Sequence, residues 1–380
     1  VPSASDSASW TEVPCMQMRG GTSKGLYFLA DDLPDDPAQR DRLLLRLMGS
    51  PDRRQIDGLG GAHPLTSKVA VVSAGRDENG DSDGSVDYLF LQVSVDQAIV
   101  SDRQNCGNIL AGVAPFALER GIVPITGDTT TVRINLLNSN SATLATVETP
   151  NGTVRYTGDT AIVGVPGTAA GITLEYRDVA GGTTGALFPT GTALDTFRLA
   201  EHGPMPTRVE ATCIDNGMPV VVLDASAFGL NGDETVEELE ADTDLRGSIE
   251  ELRLKAGRSM GLGDVTEATV PKICLVSPAQ SGGDFSTRCF IPHRVHEAIG
   301  VFAAASVGAA WRIPGTVLAR RAHSSRPGDP NDDAAALVVE HPTGQTTIVV
   351  ETDGDQVTRT ASVSTARKLM DGMTFAETEG

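Results

Sequence analysis

Apolar and polar positions along the chain fall into two rhythms, one of period 3.6 and one of period two, and these divide the sequence into helices and strands. Residues 37–48 (PAQRDRLLLRLM) carry the helical rhythm, with Pro37 in the first turn and Gly49 just past the end, so they predict a capped helix. A glycine-rich loop at 57–61 then leads into Val69-Ala70-Val71-Val72, an apolar strand with Lys68 at its mouth. Residues 86–95 alternate as another strand. Ile109, Leu110, Val113, Phe116 and Ala117 next share a helical face, with Asn105 as N-cap, Pro115 as an internal kink and Gly121 as the stop. From 129 to 156 the period returns to two: Val132, Ile134 and Leu136 lie on one face, and Pro150-Asn151-Gly152 reads as a hairpin turn.

The second half repeats this order. Strands at 208–214 and 220–223 precede an amphipathic helix at 234–256. Strands around Ile273 and Cys289 lead into an Ala-rich helix at 296–311 and a hairpin of 337–339 with 347–350. The boundary falls near Gly185, giving domains at 11–185 and 186–380, with the last strand able to return to the first domain. At 380 residues two domains are the natural expectation.

Charge and cysteine usage remove several classes of function. With 30 basic and 50 acidic residues the net charge is −20, which argues against nucleic acid or an anionic membrane as partner. The five cysteines (Cys15, Cys106, Cys213, Cys274, Cys289) are scattered, odd in number and without a C-x-x-C pair. That pattern disfavours a disulfide framework and suits a reducing cytoplasm. Residues 1–10 are Ser-rich without the features of a secretory signal and read as a disordered lead-in. The most apolar run, 299–311, is shorter than the roughly 20 residues that span a bilayer.

Candidate chemistry concentrates in two strings, residues 18–25 (MRGGTSKG) and 104–108 (QNCGN). In the first, Lys24 precedes its glycine and no Ser or Thr follows, so the nucleotide-binding phosphate-loop spacing is missing. The string is either an ordinary turn or a cradle in which backbone N–H groups, Thr22, Ser23, Arg19 and Lys24 hold carboxylates. Cys106 is either inert packing or a thiol at a helix start, where unpaired N–H groups favour the thiolate. Lys68 either snorkels outward or is held partly desolvated, where it can act as a base.

Two further patterns carry less. Gly257-Arg258-Ser259-Met260-Gly261 matches the G-x-S-x-G elbow of hydrolases, but that elbow needs a preceding strand, whereas 249–256 is helical and Gly257 reads as its C-cap. Cys289, His293 and His296 have metal-like spacing without a fourth ligand, which fits a polar pocket or a helix start better.

Both strings, together with residues 48–72 (MGSPDRRQIDGLGGAHPLTSKVAVV), 86–98, 184–191, 213–221 (CIDNGMPVV), 260–266 and 290–300 (FIPHRVHEAIG), resemble the PrpF-like isomerases of the diaminopimelate epimerase fold. The resemblance runs from about Pro14 to Thr374. It implies an α+β fold of two pseudo-symmetric domains, each a β-barrel-like sheet around a central helix, with the active site in the interdomain cleft. Diaminopimelate epimerases place a cysteine at the start of each central helix; here Cys106 matches the first, and His296 stands at the expected second start. The isomerase branch accordingly implies Lys68 and Cys106 as the proton-moving pair, with Lys68 as base and Cys106 returning the proton, or the reverse.

The same resemblance implies that Arg19, Gly20, Gly21, Thr22, Ser23, Lys24, Ser67, Asn105, Gly107 and Asn108 bind substrate, with Met218, Arg288, His293 and His296 contributed by the second domain. The implied reaction is a cofactor-independent, metal-free shift of an allylic proton in an unsaturated tricarboxylate. Keto–enol tautomerisation of 4-oxalomesaconate in gallate and protocatechuate breakdown is the leading expectation; aconitate, methylaconitate or methylitaconate isomerisation is the alternative, because one methyl or hydroxyl changes selectivity by only ~1–3 kcal/mol. A carboxylate-binding protein without turnover is the competing class. A homodimer is compatible with this reading.

Overall fold

The alternation at the start of the chain folds into an antiparallel pair, β1 (Trp10–Gly20) and β2 (Ser23–Leu29), turned on Gly21 at φ +52. The structure is a computed structural model that describes residues 10–102, 106–177, 179–266, 268–319 and 336–377. Residues 1–9 of the expected lead-in and the expected cap Asn105 lie outside the described residues, while Trp10 opens β1. Two units divide the chain: Val1–Leu174 with Ser364–Gly380, and Glu175–Val363. The division therefore falls at Leu174 rather than Gly185, and the C-terminal segment belongs to the first unit.

In the first unit β2 is followed by α1 (Pro37–Met48), β3 (Lys68–Arg76), β4 (Ser82–Val93) and the short β5 (Val100–Ser101). Then come α2 (Gly107–Leu110), α3 (Val113–Glu119), β6 (Thr129–Leu136), β7 (Ser141–Glu148) and β8 (Gly171–Tyr176). The pairing runs antiparallel β1–β2, parallel β2–β3, antiparallel β3–β4, parallel β4–β6 and antiparallel β6–β7. Each parallel step requires a crossover. Helix α1 fills the first, and α2 with α3 the second.

In the second unit the elements are β9 (Asp195–Arg198), β10 (Arg208–Asp215), β11 (Pro219–Asp224), α4 (Val236–Ala241), α5 (Thr243–Ser259) and β12 (Lys272–Pro278). They continue with β13 (Phe285–Phe290), α6 (Val301–Arg312), β14 (Ala336–His341), β15 (Gly344–Asp353) and β16 (Gln356–Glu377), whose later part pairs with β1. The pairing signs repeat in order: antiparallel β10–β11, parallel β11–β12, antiparallel β12–β13, parallel β13–β14, antiparallel β14–β15. The repeat anticipated from element order is therefore a repeat of topology.

Period-two burial explains why each sheet can carry helices on both faces. In the second unit one face of β10 to β15 (Ile214, Val222, Cys274, Phe285, Leu337, Ile348) closes on α6, whose residues 303–310 are all buried. A helix apolar all round belongs inside. The opposite face, with Val221, Leu223, Ile273 and Leu275, packs on α4 and α5. In the first unit Leu26, Phe28, Val69, Val71 and Leu91 likewise meet α1, and the other face meets α2 and α3. Helix α1 has the expected ends: the Asp36 carboxylate accepts the Gln39 N–H at 2.9 Å, and Gly49 turns at φ +74.

Several expected elements differ. The first central helix is not one rod kinked at Pro115 but two pieces, because Gly112 N–H reaches back only to Ile109 O at 3.0 Å and Pro115, lacking an N–H, excludes the carbonyl four residues earlier. The 234–256 helix is also two, since Asp242 leaves helical geometry (φ −76, ψ 98) and its carboxylate caps α5 through Leu245 N–H at 2.9 Å. Pro150–Gly152 is a short 3-10 turn after β7, and the β6–β7 hairpin turns at 137–140 instead. The second central helix starts at Val301 behind Gly300, because 291–299 is used in turns: Ile291 N–H bonds Arg294 O, and His296 N–H bonds Cys289 O at 2.8 Å. Helix α5 runs through Gly257, where a Cβ would lie 2.6 Å from Val265 Cγ2, to Met260 as C-cap. Ser259 thus sits in a helix, donating to Lys255 O at 3.2 Å, and no nucleophile elbow forms.

Candidate active site

Strand register builds the site. Gly25 lies opposite Lys68 across β2–β3, and Lys68 lies opposite Gln92 across β3–β4. Their neighbours Leu26, Val69 and Leu91 face α1, so by alternation these three form a row on the face toward α2 and α3. Gly25 leaves room for the close approach: a Cβ there would lie 2.6 Å from Lys68 O and 3.0 Å from Ile109 Cδ1.

Lys68 is buried, 6% exposed. Its Nζ donates to Gln92 Oε1 at 2.9 Å and stands 5.0 Å from the centroid of the Phe90 ring. Both contacts suit a cation. Ser67, before it, is fully buried and donates to Gln55 Oε1 at 2.7 Å and to His63 O at 3.0 Å, which fixes the chain where it enters β3.

Cys106 is the N-cap of α2, half-buried and a free thiol. No side chain caps this helix start among the described residues. The turn between β1 and β2 lies against it. A Cβ on Gly20 would come within 2.4 Å of Asn108 O, and one on Gly21 within 2.3 Å of Asn108 Oδ1; Thr22 N–H donates to Asn108 Oδ1 at 3.4 Å. Glycine is therefore needed at both positions for the backbone to touch the first turn of α2. Tyr27 anchors the same turn, its hydroxyl donating to Ile109 O at 2.6 Å. Burial, with Cys106 close by, pushes the Tyr27 and Tyr88 hydroxyls up, so both remain neutral donors.

Ser23 Oγ and Tyr88 Oη are two of the four buried hydroxyls, with Thr143 and Ser248, that have no hydrogen-bond partner among the described residues. Buried polar atoms without partners are uncommon, and Ser23, two residues before Gly25, shares the inward face of β2. Its hydroxyl has bonding capacity to offer a ligand. Arg19 is more committed: its guanidinium donates to Gly21 O at 2.9 Å and to Thr365 O and Oγ1 at 3.0 and 2.9 Å. Burial and the neighbouring Arg367 lower its pKa. It staples the glycine turn. Lys24, on β2, is half-buried.

The structure thus places Arg19, Gly20, Gly21, Thr22, Ser23, Ser67, Lys68, Cys106, Gly107 and Asn108 within the first unit, where β2 and β3 meet the first turn of α2; Lys24 is on β2 too, but alternation sets it on the α1 face with Leu26. Met218, Arg288, His293 and His296 belong to the second unit. Met218 O accepts the Ser306 hydroxyl at 2.7 Å beside α6. The Arg288 guanidinium is spent on Glu234 O at 2.7 Å, Thr287 O at 3.0 Å and Ser286 Oγ at 3.3 Å. His293 lines a cavity of about 300 Å³ beside α5, its Nδ1 3.8 Å from Glu250 Oε2. His296 Nδ1 accepts the Ala298 N–H at 2.9 Å, and burial lowers its pKa.

The expectation that His296 opens the second central helix is therefore corrected: Gly300 holds that position. Cys289 Sγ lies 3.0 Å from Cys274 Sγ and His293 Nδ1 faces Glu250, and among the described residues no three His, Cys, Asp or Glu side chains cluster as metal ligands. Gln92 is the residue that sequence reading missed. Its only signal was the inward phase of an alternating strand, which does not separate a polar partner from a solvated edge.

A duplicated strand–helix topology, with a lysine opening β3 in one copy and β12 in the other but a thiol at the helix cap in only the first, defines a class of two-unit α+β proteins. This chain belongs to the PrpF family, whose description is PrpF protein and which matches residues 10–377. It is 53% identical to (4E)-oxalomesaconate Delta-isomerase of Novosphingobium sp. (strain KA1), over 95% of this chain and 97% of that one. It is 50% identical to 4-oxalomesaconate tautomerase of Pseudomonas putida, over 96% of each. The crystal structure of a methylitaconate-delta-isomerase matches with a TM-score of 0.86 at 32% identity, covering 97% of this chain and 96% of that chain. Like these relatives, the chain is an isomerase.

Among the described residues no helix is long and apolar enough to cross a membrane.

Proposed function

We propose that this protein isomerises 4-oxalomesaconate by moving one proton along its C–C=C system, without a cofactor. Two relatives at 53% and 50% identity carry that substrate in their names, and the structural neighbour named for methylitaconate is more distant at 32%. The observation that carries the chemistry is the buried Lys68, 2.9 Å from an amide oxygen, on the sheet face that packs against the helix capped by Cys106.

The reaction breaks one C–H bond, leaves the electron pair as an extended enolate over the conjugated carbonyl and carboxylate, and forms a new bond to hydrogen at another atom of the system. Cys106, as thiolate, takes the proton; Lys68, as ammonium, faces the developing negative charge and returns a proton. An acceptor oxygen and an aromatic face around Nζ support this order over its reverse. The glycine turn, Ser23 and the first-turn N–H groups of α2 hold carboxylate oxygens. A reducing cytoplasm suits a protein that needs Cys106 as a thiol.

Supplying 4-oxalomesaconate, 2-methylaconitate and 3-methylitaconate separately and comparing kcat/KM tests the substrate. The proposal expects 4-oxalomesaconate to lead by at least about tenfold, the discrimination expected for one or two polar groups in a pocket. Preference for either methylated acid would overturn it.

A further inference from the structure

We propose that Gln92 is a positioning residue for Lys68, an amide clamp that fixes the direction of its ammonium group; this rests on the reading of Lys68 as proton donor. An amide can present either end to a neighbour, and its identity alone does not say which. Here the surroundings decide. Gln92 Nε2 has three carbonyl acceptors, Pro64 O at 3.1 Å, Ser67 O at 3.1 Å and Val93 O at 3.3 Å, and none of them can bond an oxygen. The flipped amide would set Oε1 against three carbonyls and Nε2 against an ammonium. Only one orientation is bonded throughout, and it turns Oε1 to Lys68 Nζ at 2.9 Å.

The clamp is itself held by the backbone. Ser67 O also accepts the Val93 N–H at 3.1 Å, so the acceptor of Gln92 belongs to the β3–β4 entry and does not drift with the side chain. Ser67 and its partner Gln55 are both buried, and Gln55 in turn accepts the Ala62 N–H at 2.8 Å. A lysine side chain has four rotatable bonds and needs such restraint to hold one geometry. Phe90, two residues from Gln92 on the same face, bounds Nζ at 5.0 Å from its ring centroid. One directional acceptor and one non-directional wall leave Nζ its remaining hydrogens for a ligand.

The consequence is kinetic rather than a matter of affinity. A misplacement of about 1 Å costs on the order of 10²-fold in rate. The test is a cycle of Gln92→Met, Lys68→Met and the double variant, read as kcat and KM for whichever of 4-oxalomesaconate, 2-methylaconitate and 3-methylitaconate the wild type turns over. Gln92→Met keeps the length of the side chain and removes both polar ends. The expected result is a kcat lower by about 10²-fold with KM within about threefold, and no further loss when Gln92→Met is added to Lys68→Met. An equal loss in both backgrounds, an unchanged kcat in Gln92→Met, or a loss confined to KM would overturn the clamp while leaving Lys68 in place. Full activity of Lys68→Met, or no turnover of any of the acids by the wild type, would overturn the underlying reading and the clamp with it.

Discussion

Cys106 and Gly300 hold the same position in the two copies of the fold: each is the N-cap of the helix that links a parallel strand pair, β4 to β6 in one unit and β13 to β14 in the other. A second contact supports the equivalence. Gly21 meets Asn108, two residues past Cys106, and Gly217 meets Phe302, two residues past Gly300, each in the turn of the preceding hairpin. The second copy therefore offers hydrogen where the first offers a thiol.

Cys106→Ala and Lys68→Met are each expected to lower kcat by about 10²- to 10⁴-fold, the usual worth of a general acid or base, with the thermal unfolding temperature little changed for Cys106→Ala. Steady-state kinetics beside a thermal melt check this. A kcat within threefold of wild type in either variant would remove that residue from the mechanism.

Gly25 has a packing role that its own conformation does not reveal. Gly25→Ala puts a methyl group 2.6 Å from Lys68 O, a backbone atom that cannot swing aside, so the expected cost is about 1–3 kcal/mol of stability together with lost activity. Urea unfolding gives the first and turnover the second. Gly127→Ala is the comparison: its backbone is not left-handed and its Cβ would meet only Thr129 O, at 3.8 Å.

Thiol reactivity should be selective. Burial pushes Cys15 up to about 12 and raises Cys213; Cys274 is raised by its hydrogen bond with Cys289 and by burial. Cys106 alone of the five is not buried. Iodoacetamide at about pH 8 should therefore add one label to the folded protein, at Cys106, and reach the others only after unfolding. Peptide mass spectrometry reads this directly, and early labelling of any other cysteine would contradict it.

Acid should weaken the second unit through His341. Burial lowers its pKa below the ordinary 6.5, with its ring between Thr346 Oγ1 at 3.2 Å and Thr343 Oγ1 at 3.3 Å, and His296 and Arg288 add positive charge nearby. The unfolded chain then binds the proton more readily than the folded one, so the stabilising difference is complete above 6.5 and fades as pH falls through the lower, folded value. Urea midpoints from about pH 7.5 to 5 should decline, and the decline should be shallower in His341→Gln. An equal slope in both proteins would exclude this group.

Much of the fold is legible in the sequence. Helix α1 with its Pro37 and Gly49 ends, the strand after Lys68 and the buried face of Val132, Ile134 and Leu136 follow from short-range periodicity and capping. What failed depended on contacts distant in sequence or on competing local bonds. The start of α6 shifted from His296 to Gly300 because 291–299 found turn hydrogen bonds, and the Gly257 stop was overridden by packing on Val265. Gln92 escaped notice because its partner lies 24 residues away, and only strand register brings the two together.

Proton NMR of 4-oxalomesaconate in D2O with wild type, Cys106→Ala and Lys68→Met follows the transferred hydrogen itself. The account predicts that wild type exchanges the allylic hydrogen for deuterium at the rate of isomerisation or faster, and that both variants lose exchange and turnover together. Isomerisation in D2O with no deuterium incorporated, or exchange that persists in both variants, would contradict it.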